Sequence, residues 1–251
     1  MLPTQYTDLM PSGHPLISVV CRPGHDVFGP VAERLRERGF AVEFLEPGVE
    51  VPRERIEAAD LLVNKKIRWE SLDALEYAHR IGVPAWNDYV ATSLFVNRLS
   101  QVAALRAVGF DVPEITDDPP EGEYVAKGFF DVQEAPTLNG EGDFYQPRLE
   151  FDGVDEKYYA VDDGTTVHAA VVRFESKLLG ERRHLGRGEV DPAVARRIER
   201  LLDFAGASAL GVDVVSVDGR TYAVDVNPAT SFRRTGLTDV VVDSIAASVP
   251  D

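Results

Sequence analysis

Asp213, Asp225 and Asn227 are oxygen donors set into two runs otherwise rich in Val, Ala and Tyr, on either side of Asp218-Gly219. Apolar, β-branched runs around an Asp-Gly pair predict a β-hairpin. A carboxylate inside an apolar strand is costly unless a cation or a hydrogen-bond network satisfies it. These three side chains are therefore candidates for holding a hard cation, against the plain alternative of a hairpin with acidic strand ends. Register decides whether they meet, because alternate strand residues face opposite ways. A two-residue loop pairs Asp213 with Val224 and sends Asp225 to the other face. A three-residue loop of Asp218, Gly219 and Arg220 pairs Val217 with Thr221, places Asp225 opposite Asp213, and keeps Asn227 on that face. The three-residue loop is the expectation. So few protein donors suit Mg²⁺, with Mn²⁺ as an alternative, since Mg²⁺ keeps waters and completes its shell from substrate phosphates.

The spacing G-x-D-(x)11-D-x-N-P across this hairpin resembles the metal-binding end of the ATP-grasp superfamily, in particular the branch of glutamate-adding, RimK-like ligases and glutathione synthetase relatives. The resemblance implies ATP as cofactor, with acidic residues and Asn holding the Mg²⁺ ions that bridge its phosphates. Asp225 stands where the family usually has Glu. Further matches follow in order along residues 82–248. Asn97-Arg98 takes the place of an Asn-Lys on the helix entering the ATP lobe, where Arg98 would contact phosphate or else sit on a solvated helix face. Lys127, ending Tyr124-Val-Ala-Lys127, resembles the lysine that neutralises the α- and β-phosphates. Phe144-Tyr-Gln-Pro-Arg-Leu149 resembles the hinge strand that reads adenine, with Gln146 and Arg148 as candidate nucleotide contacts and Pro147 removing one hinge N–H. In Phe151-Asp-Gly-Val-Asp-Glu-Lys157, Asp155 would take the ribose side and Lys157 the phosphate or acceptor side. Arg182-Arg-His-Leu-Gly-Arg-Gly188 resembles the segment whose arginines meet the transferred phosphoryl group, making Arg182 and Arg187 the catalytic candidates. One departure matters: the glycine-rich flap that should follow Lys127 is replaced by the shorter, acidic, glycine-poor residues 128–142, and such a flap excludes water from transferable phosphate.

The elements that must position these groups are legible from periodicity. Residues 16–21, 41–45 and 61–65 read as strands, alternating with helical patterns ended by Gly39 and Gly82. That is a small parallel α/β lobe, whose ligands would lie at the carboxyl ends of its strands. No G-x-G-x-x-G or Walker loop follows the first strand. Arg22, His25, Asn64, Lys65, Lys66 and Arg68 gather at those ends as a candidate acceptor region outside the catalytic set. Residues 91–109 read as one amphipathic helix, 165–174 as a strand, and 191–202 and 238–248 as helices. The expected architecture is α/β (α+β ATP-grasp): a pre-ATP-grasp lobe over 1–90, then an ATP-grasp module over 91–251, divided into subdomains 91–143 and 144–251.

Composition narrows the classes. The 251 residues carry 42 acidic against 26 basic side chains, for a net charge of −16, and only 5 of the basic residues are Lys. That balance excludes nucleic acid as the main partner and resembles the surface of proteins from salt-loaded cytoplasm, where screening tempers self-repulsion. No apolar run reaches the length of a membrane span, the first 15 residues lack a signal-peptide pattern, and one cysteine excludes an internal disulfide. A cytoplasmic chain is the expectation, as a monomer or homo-oligomer. The resemblance implies a carboxylate–amine ligase working through an acyl phosphate on a small-molecule or peptide acid and an amine acceptor. The alternatives are a non-catalytic nucleotide-binding or regulatory protein on the same fold and, third, a small-molecule kinase.

Overall fold

Short apolar runs make the first layer. Leu16–Val20 (β1), Ala41–Leu45 (β2), Leu61–Asn64 (β3) and Ala85–Trp86 (β4) form a parallel sheet of order β2-β1-β3-β4. The connecting helices are Phe28–Glu37 (α1), the single-turn Arg53–Glu57 (α2) and Trp69–Ile81 (α3). β1 and β3 are buried along nearly their whole length, as expected of parallel strands covered on both faces. The computed structural model describes residues 13–132, 135–176 and 183–250. Among these, no helix is long and apolar enough to cross a membrane.

Two antiparallel sheets follow. Tyr124–Lys127 (β5), Thr137–Leu138 (β6) and Phe144–Pro147 (β7) form a small sheet of order β6-β5-β7. Val154–Asp162 (β8), Val167–Glu175 (β9), His184–Gly188 (β10), Ala209–Val217 (β11) and Arg220–Asn227 (β12) form a larger one of order β10-β9-β8-β11-β12. Pro192–Ala205 (α6) covers one face through Val194, Ile198, Leu201 and Leu202, which join Leu210 and Val212 in one core. On the other face Tyr159, Val161 and Val172 pack with β1, α1, Phe232 and the last helix, Thr238–Ala247 (α7). One apolar core therefore runs from the parallel lobe into the large sheet. Trp86 Nε1 donates to Ser244 Oγ at 2.8 Å across that junction.

The helix expected over 91–109 is two helices, Tyr89–Val96 (α4) and Arg98–Ala107 (α5). Asn97 breaks it with extended backbone, φ −82° and ψ 110°, and its side chain accepts from Ser100 N at 3.0 Å as the N-cap of α5. The 3.6 periodicity continues through the break, so it carries no sign of it; Asn capping preference does. The residues following the nucleotide-lysine position dock into this notch. Asn97 bridges Phe130, Arg98 N donates to Phe129 O at 2.8 Å, and Asp131 N donates to Val96 O at 2.9 Å.

Arg98 locks the notch. It is 2% exposed, and it donates to Gly128 O at 3.0 Å, Phe130 O at 3.3 Å and Asp131 Oδ1 at 2.7 Å. Arg98→Met, similar in length but without donors, would remove the guanidinium donors to the Gly128 carbonyl and the partly buried Asp131 carboxylate. A loss of about 3 kcal/mol is expected from that mechanism. Chemical denaturation checks it, and an unchanged midpoint would show that the contacts carry no net stability.

Candidate functional site

Asp213 and Asp225 do sit opposite each other, by a different route from the one expected. The loop has two residues, with Val217 paired to Arg220, and Asp218 (φ 49°) and Gly219 (φ 77°) both left-handed. That is the type I′ geometry whose twist suits a hairpin and which Asp-Gly favours. By itself it would misdirect Asp225. A β-bulge between Asp213 and Val214 shifts the register and restores the Asp213–Asp225 pair, with Gly211 paired to Asn227. The extra residue is Val224, and its carbonyl accepts from Lys127 Nζ at 2.9 Å.

The bulge thus brings the metal candidates and the nucleotide lysine together. On the next strand Lys157 pairs with Asp213, and its Nζ lies 2.9 Å from Asp213 Oδ1. Gly211 leaves room for that side chain: a Cβ there would lie 3.0 Å from Lys157 Cε and 2.8 Å from Thr230 Oγ1. Gly142 serves Lys127 in the same way, since a Cβ would come within 2.7 Å of its backbone N. The base of the hairpin is clamped by buried amides. Asn87 donates to Ala209 O and Pro228 O and accepts from Ala209 N, while Gln101 donates to Val226 O at 2.9 Å.

Burial sets the electrostatics. It pushes the Asp225 carboxyl up to about 6, helped by the like charges of Asp213 and Asp131 and opposed by Lys127 and Lys157. Burial also lowers Lys127, although Asp225 counters it. For Lys157, burial would act the same way, but Asp213 and Asp225 outweigh it and the ammonium is held above its ordinary value. Asp213 Oδ1 is buried and, though near Lys157 Nζ, makes no well-directed hydrogen bond. Two facing carboxylates, one short of a directed partner and one whose ionisation is opposed by burial, fit a hard cation. Among the described residues no three His, Cys, Asp or Glu side chains form a metal cluster. A cation held here would add Asn227, water and phosphate oxygens to the two carboxylates. Asn227 Oδ1 already accepts from Ala229 N at 2.8 Å, which leaves it one lone pair.

A cleft of about 210 Å³ opens beside this pair, between the small sheet and the hairpin. Five of the candidate residues line it: Lys127, Gln146, Asp155, Asp213 and Asp225. Pro113, Val125, Leu149, Phe151 and Val215 supply apolar walls, the chemistry that suits a flat heteroaromatic ring. Gln146 is 3% exposed and donates to Pro113 O at 3.2 Å. Other candidates are placed elsewhere. Arg98 is occupied by residues 128–131 as described, neither solvated nor in the cleft. Arg148 pairs with Glu123. Arg187 lies on β10 and donates to Arg234 O at 2.9 Å. Arg182 lies outside the described residues.

Two further charged groups act on the site: Asp131, which the sequence did not single out, and Lys65, which it placed in the acceptor region. Asp131 contributes negative charge to both Asp225 and Lys127. Lys65, at the end of β3, is 8% exposed and donates to Ala229 O, just beyond the hairpin. A lysine closing an apolar strand in a chain with only 5 lysines was the available signal for it. Burial, with Lys66 and Lys157 nearby, lowers its ammonium to about 7.

No family model and no curated protein sequence matches the chain. Solved structures do. It superposes on the ATP-grasp ligase PsnB complexed with a minimal precursor at TM-score 0.68 and 17% identity, over 95% of this chain and 99% of that one. A RimK domain ATP-grasp protein from Sphaerobacter thermophilus gives TM-score 0.70 at 13% identity, over 92% and 99%. The macrocyclase MdnC from Microcystis aeruginosa, bound to the precursor peptide MdnA, gives 0.67 at 8%, over 93% and 99%. The chain has the ATP-grasp fold, in the mixed α/β form expected.

Lys65 yields a pH test. Its folded value lies below its unfolded one, so between about pH 7 and 10 the unfolded chain binds more protons and stability rises with pH. Lys65→Met should remove that rise while wild type keeps it, as read from urea midpoints at pH 7 and 9.5. Parallel pH profiles would show that the ammonium is not perturbed.

Proposed function

We propose that this chain is an ATP- and Mg²⁺-dependent carboxylate–amine ligase. The observation that carries the reading is the convergence of Lys127, Gln146 and Asp155 with the Asp213–Asp225 pair around one apolar-walled cleft. PsnB has been captured with Mg and ADP, which supports the same ligands here. The nucleotide base would lie between Val125, Leu149 and Val215, with Asp155 toward the ribose. Lys127 would meet phosphate negative charge, and Lys157, anchored on Asp213, would stand at the phosphate or acceptor side. Mg²⁺ held by Asp213, Asp225 and Asn227 would supply charge neutralisation on the phosphates. A substrate carboxylate would attack the γ-phosphoryl group to give an acyl phosphate and ADP, and an amine would then displace phosphate to form the amide. Such chemistry depends on alignment and charge stabilisation and asks for no protein nucleophile. Arg187 and Arg182 are proposed to approach the phosphoryl group in the loaded state. PsnB and MdnC are described with precursor peptides, so a peptide substrate is the preferred class.

A second reading, a nucleotide-binding protein without catalysis, is favoured by one observation. The segment after Lys127 is tied into the Asn97–Arg98 notch instead of forming a glycine-rich flap free to close over phosphate.

Calorimetric titration of ATP with Mg²⁺ in molar salt should show binding that Asp225→Ala weakens at least tenfold, about 1.4 kcal/mol. Folded wild type that binds no nucleotide would remove both readings. Hydroxylamine trapping then separates them. Acid-dependent hydroxamate formed together with ADP supports the ligase, and nucleotide binding with no hydroxamate across a broad panel of acids and peptides supports the non-catalytic protein.

A further inference from the structure

A wider cleft lies elsewhere, at the carboxyl ends of β1 and β3, with a volume of about 730 Å³. Four permanent cations line it, Arg22, Lys66, Arg68 and Arg233, against one carboxylate, Glu70. A lining with three net positive charges is a concentrated exception in a chain of net charge −16. Arg22 and Arg233 are paired with Glu46 at 3.3 Å and Asp26 at 3.0 Å, but all four side chains are more than half exposed. Such surface pairs hold little energy and yield readily to a ligand. Lys66 and Arg68 have no ion pair among the described residues.

The segments carrying two of these cations, Lys66 and Arg233, are fixed by local structure. Asn64, 3% exposed, clasps the next segment through Nδ2 to Lys66 O at 2.7 Å and Lys66 N to Oδ1 at 3.1 Å. Arg233 sits between two non-glycine residues with left-handed backbone, Phe232 (φ 53°) and Arg234 (φ 65°). Such strain persists only where the surroundings over-determine it, and it gathers at functional sites. Here Phe232 is buried against Trp86 and Tyr159, and Arg187 holds the Arg234 carbonyl.

The donors also say which anion fits. His25 Nδ1 accepts from Val27 N and Phe28 N, each at 3.2 Å. The first amides of α1 are thereby occupied, and they are the donors on which a phosphate would ordinarily settle. Burial and the neighbouring Lys65 lower the imidazole to about 4, so it is neutral and its remaining proton sits on Nε2. What faces the ligand is a set of separated side-chain cations from three segments plus one neutral N–H. Arg forks pair bidentately with carboxylates as they do with phosphates, so it is the occupied helix amides and the separation of the cations that favour several carboxylates over one phosphate. The two clefts are also neighbours. Lys65 shares its field with Cys21, Lys66 and Arg233 of this cleft and with Lys157, which pairs with Asp213 of the other.

We infer that this cleft binds a ligand carrying two or more separated carboxylates, and that it holds the acidic reactant beside the nucleotide site. The second clause rests on the ligase reading; the binding does not.

The test uses the full chain without nucleotide, titrated calorimetrically with tri-glutamate, tri-glutamine, citrate and inorganic pyrophosphate in about 0.15 M salt, where the Debye length is about 8 Å. Tri-glutamate should bind and tri-glutamine should not. The exposed double substitution Lys66→Ala/Arg68→Ala should weaken tri-glutamate at least tenfold, while Arg80→Ala, an equally exposed cation on α3 outside the cleft, should leave it unchanged. Citrate binding with the same variant pattern while tri-glutamate fails would keep the site and identify the ligand as a free polyacid. Overturning results are pyrophosphate binding more tightly than either, equal loss in Arg80→Ala, or neither polyacid binding the folded wild type. MgATP affinity measured on the double variant should match wild type, so failure here and failure of the nucleotide reading are told apart.

Discussion

Two carboxylates buried face to face, Asp213 and Asp225, set the terms for everything around them. Like charges on paired strands repel, and burial adds a desolvation cost that water would otherwise remove. The fold answers with two buried ammonium groups from different sheets, Lys157 beside Asp213 and Lys127 over the bulge carbonyl of Val224. The four groups balance in charge, yet they leave Asp225 poorly satisfied and Asp213 Oδ1 without a directed partner. An arrangement optimised for stability alone would have used apolar residues. An unfinished polar cluster at the mouth of an apolar cleft is what a charged ligand completes.

The scaffold follows from holding that cluster still. β11 lies between β8 and β12, so Asp213 projects from a strand paired on both sides and Asp225 from the edge strand beside it. Asn87 and Gln101 satisfy the strand ends from the parallel lobe and from α5. The core shared by that lobe and the large sheet makes their relative placement a packing matter. Lys65, buried between them in the fold, donates to Ala229 O just beyond the hairpin and feels charges from both sides.

Arg98 illustrates how one substitution redistributes roles. An ammonium there would be a point charge on a flexible stem, whereas the guanidinium is a planar fork with several donors. Here the fork turns away from the cleft and ties down residues 128–131. The same segment is poor in glycine, so docking suits it better than the conformational freedom of a flap. The two departures agree physically: a loop unable to move freely is matched by an arginine that fastens it.

The sequence by itself determined the element types, the parallel lobe, the hairpin, and the identity of the acidic and basic groups. Those follow from periodicity, turn chemistry and the cost of charge in apolar strands, which are local properties. It also anticipated that Asp213 and Asp225 would face each other, though for the wrong reason. A two-residue Asp-Gly turn and a distant bulge together give the same pairing as a three-residue loop; Asp-Gly favours the shorter turn, but nothing local announces the bulge. The break at Asn97, the strand carrying Arg187 and the burial of Arg98 were decided by tertiary contacts. Each depends on segments far apart in sequence: Phe130 against Asn97, Arg187 against Arg234. The separation of the cationic groups between the cleft beside Asp213 and Asp225 and the basic cleft belongs to the same class. Side-chain chemistry says what a residue can do, and only the packed chain decides which neighbour it does it to.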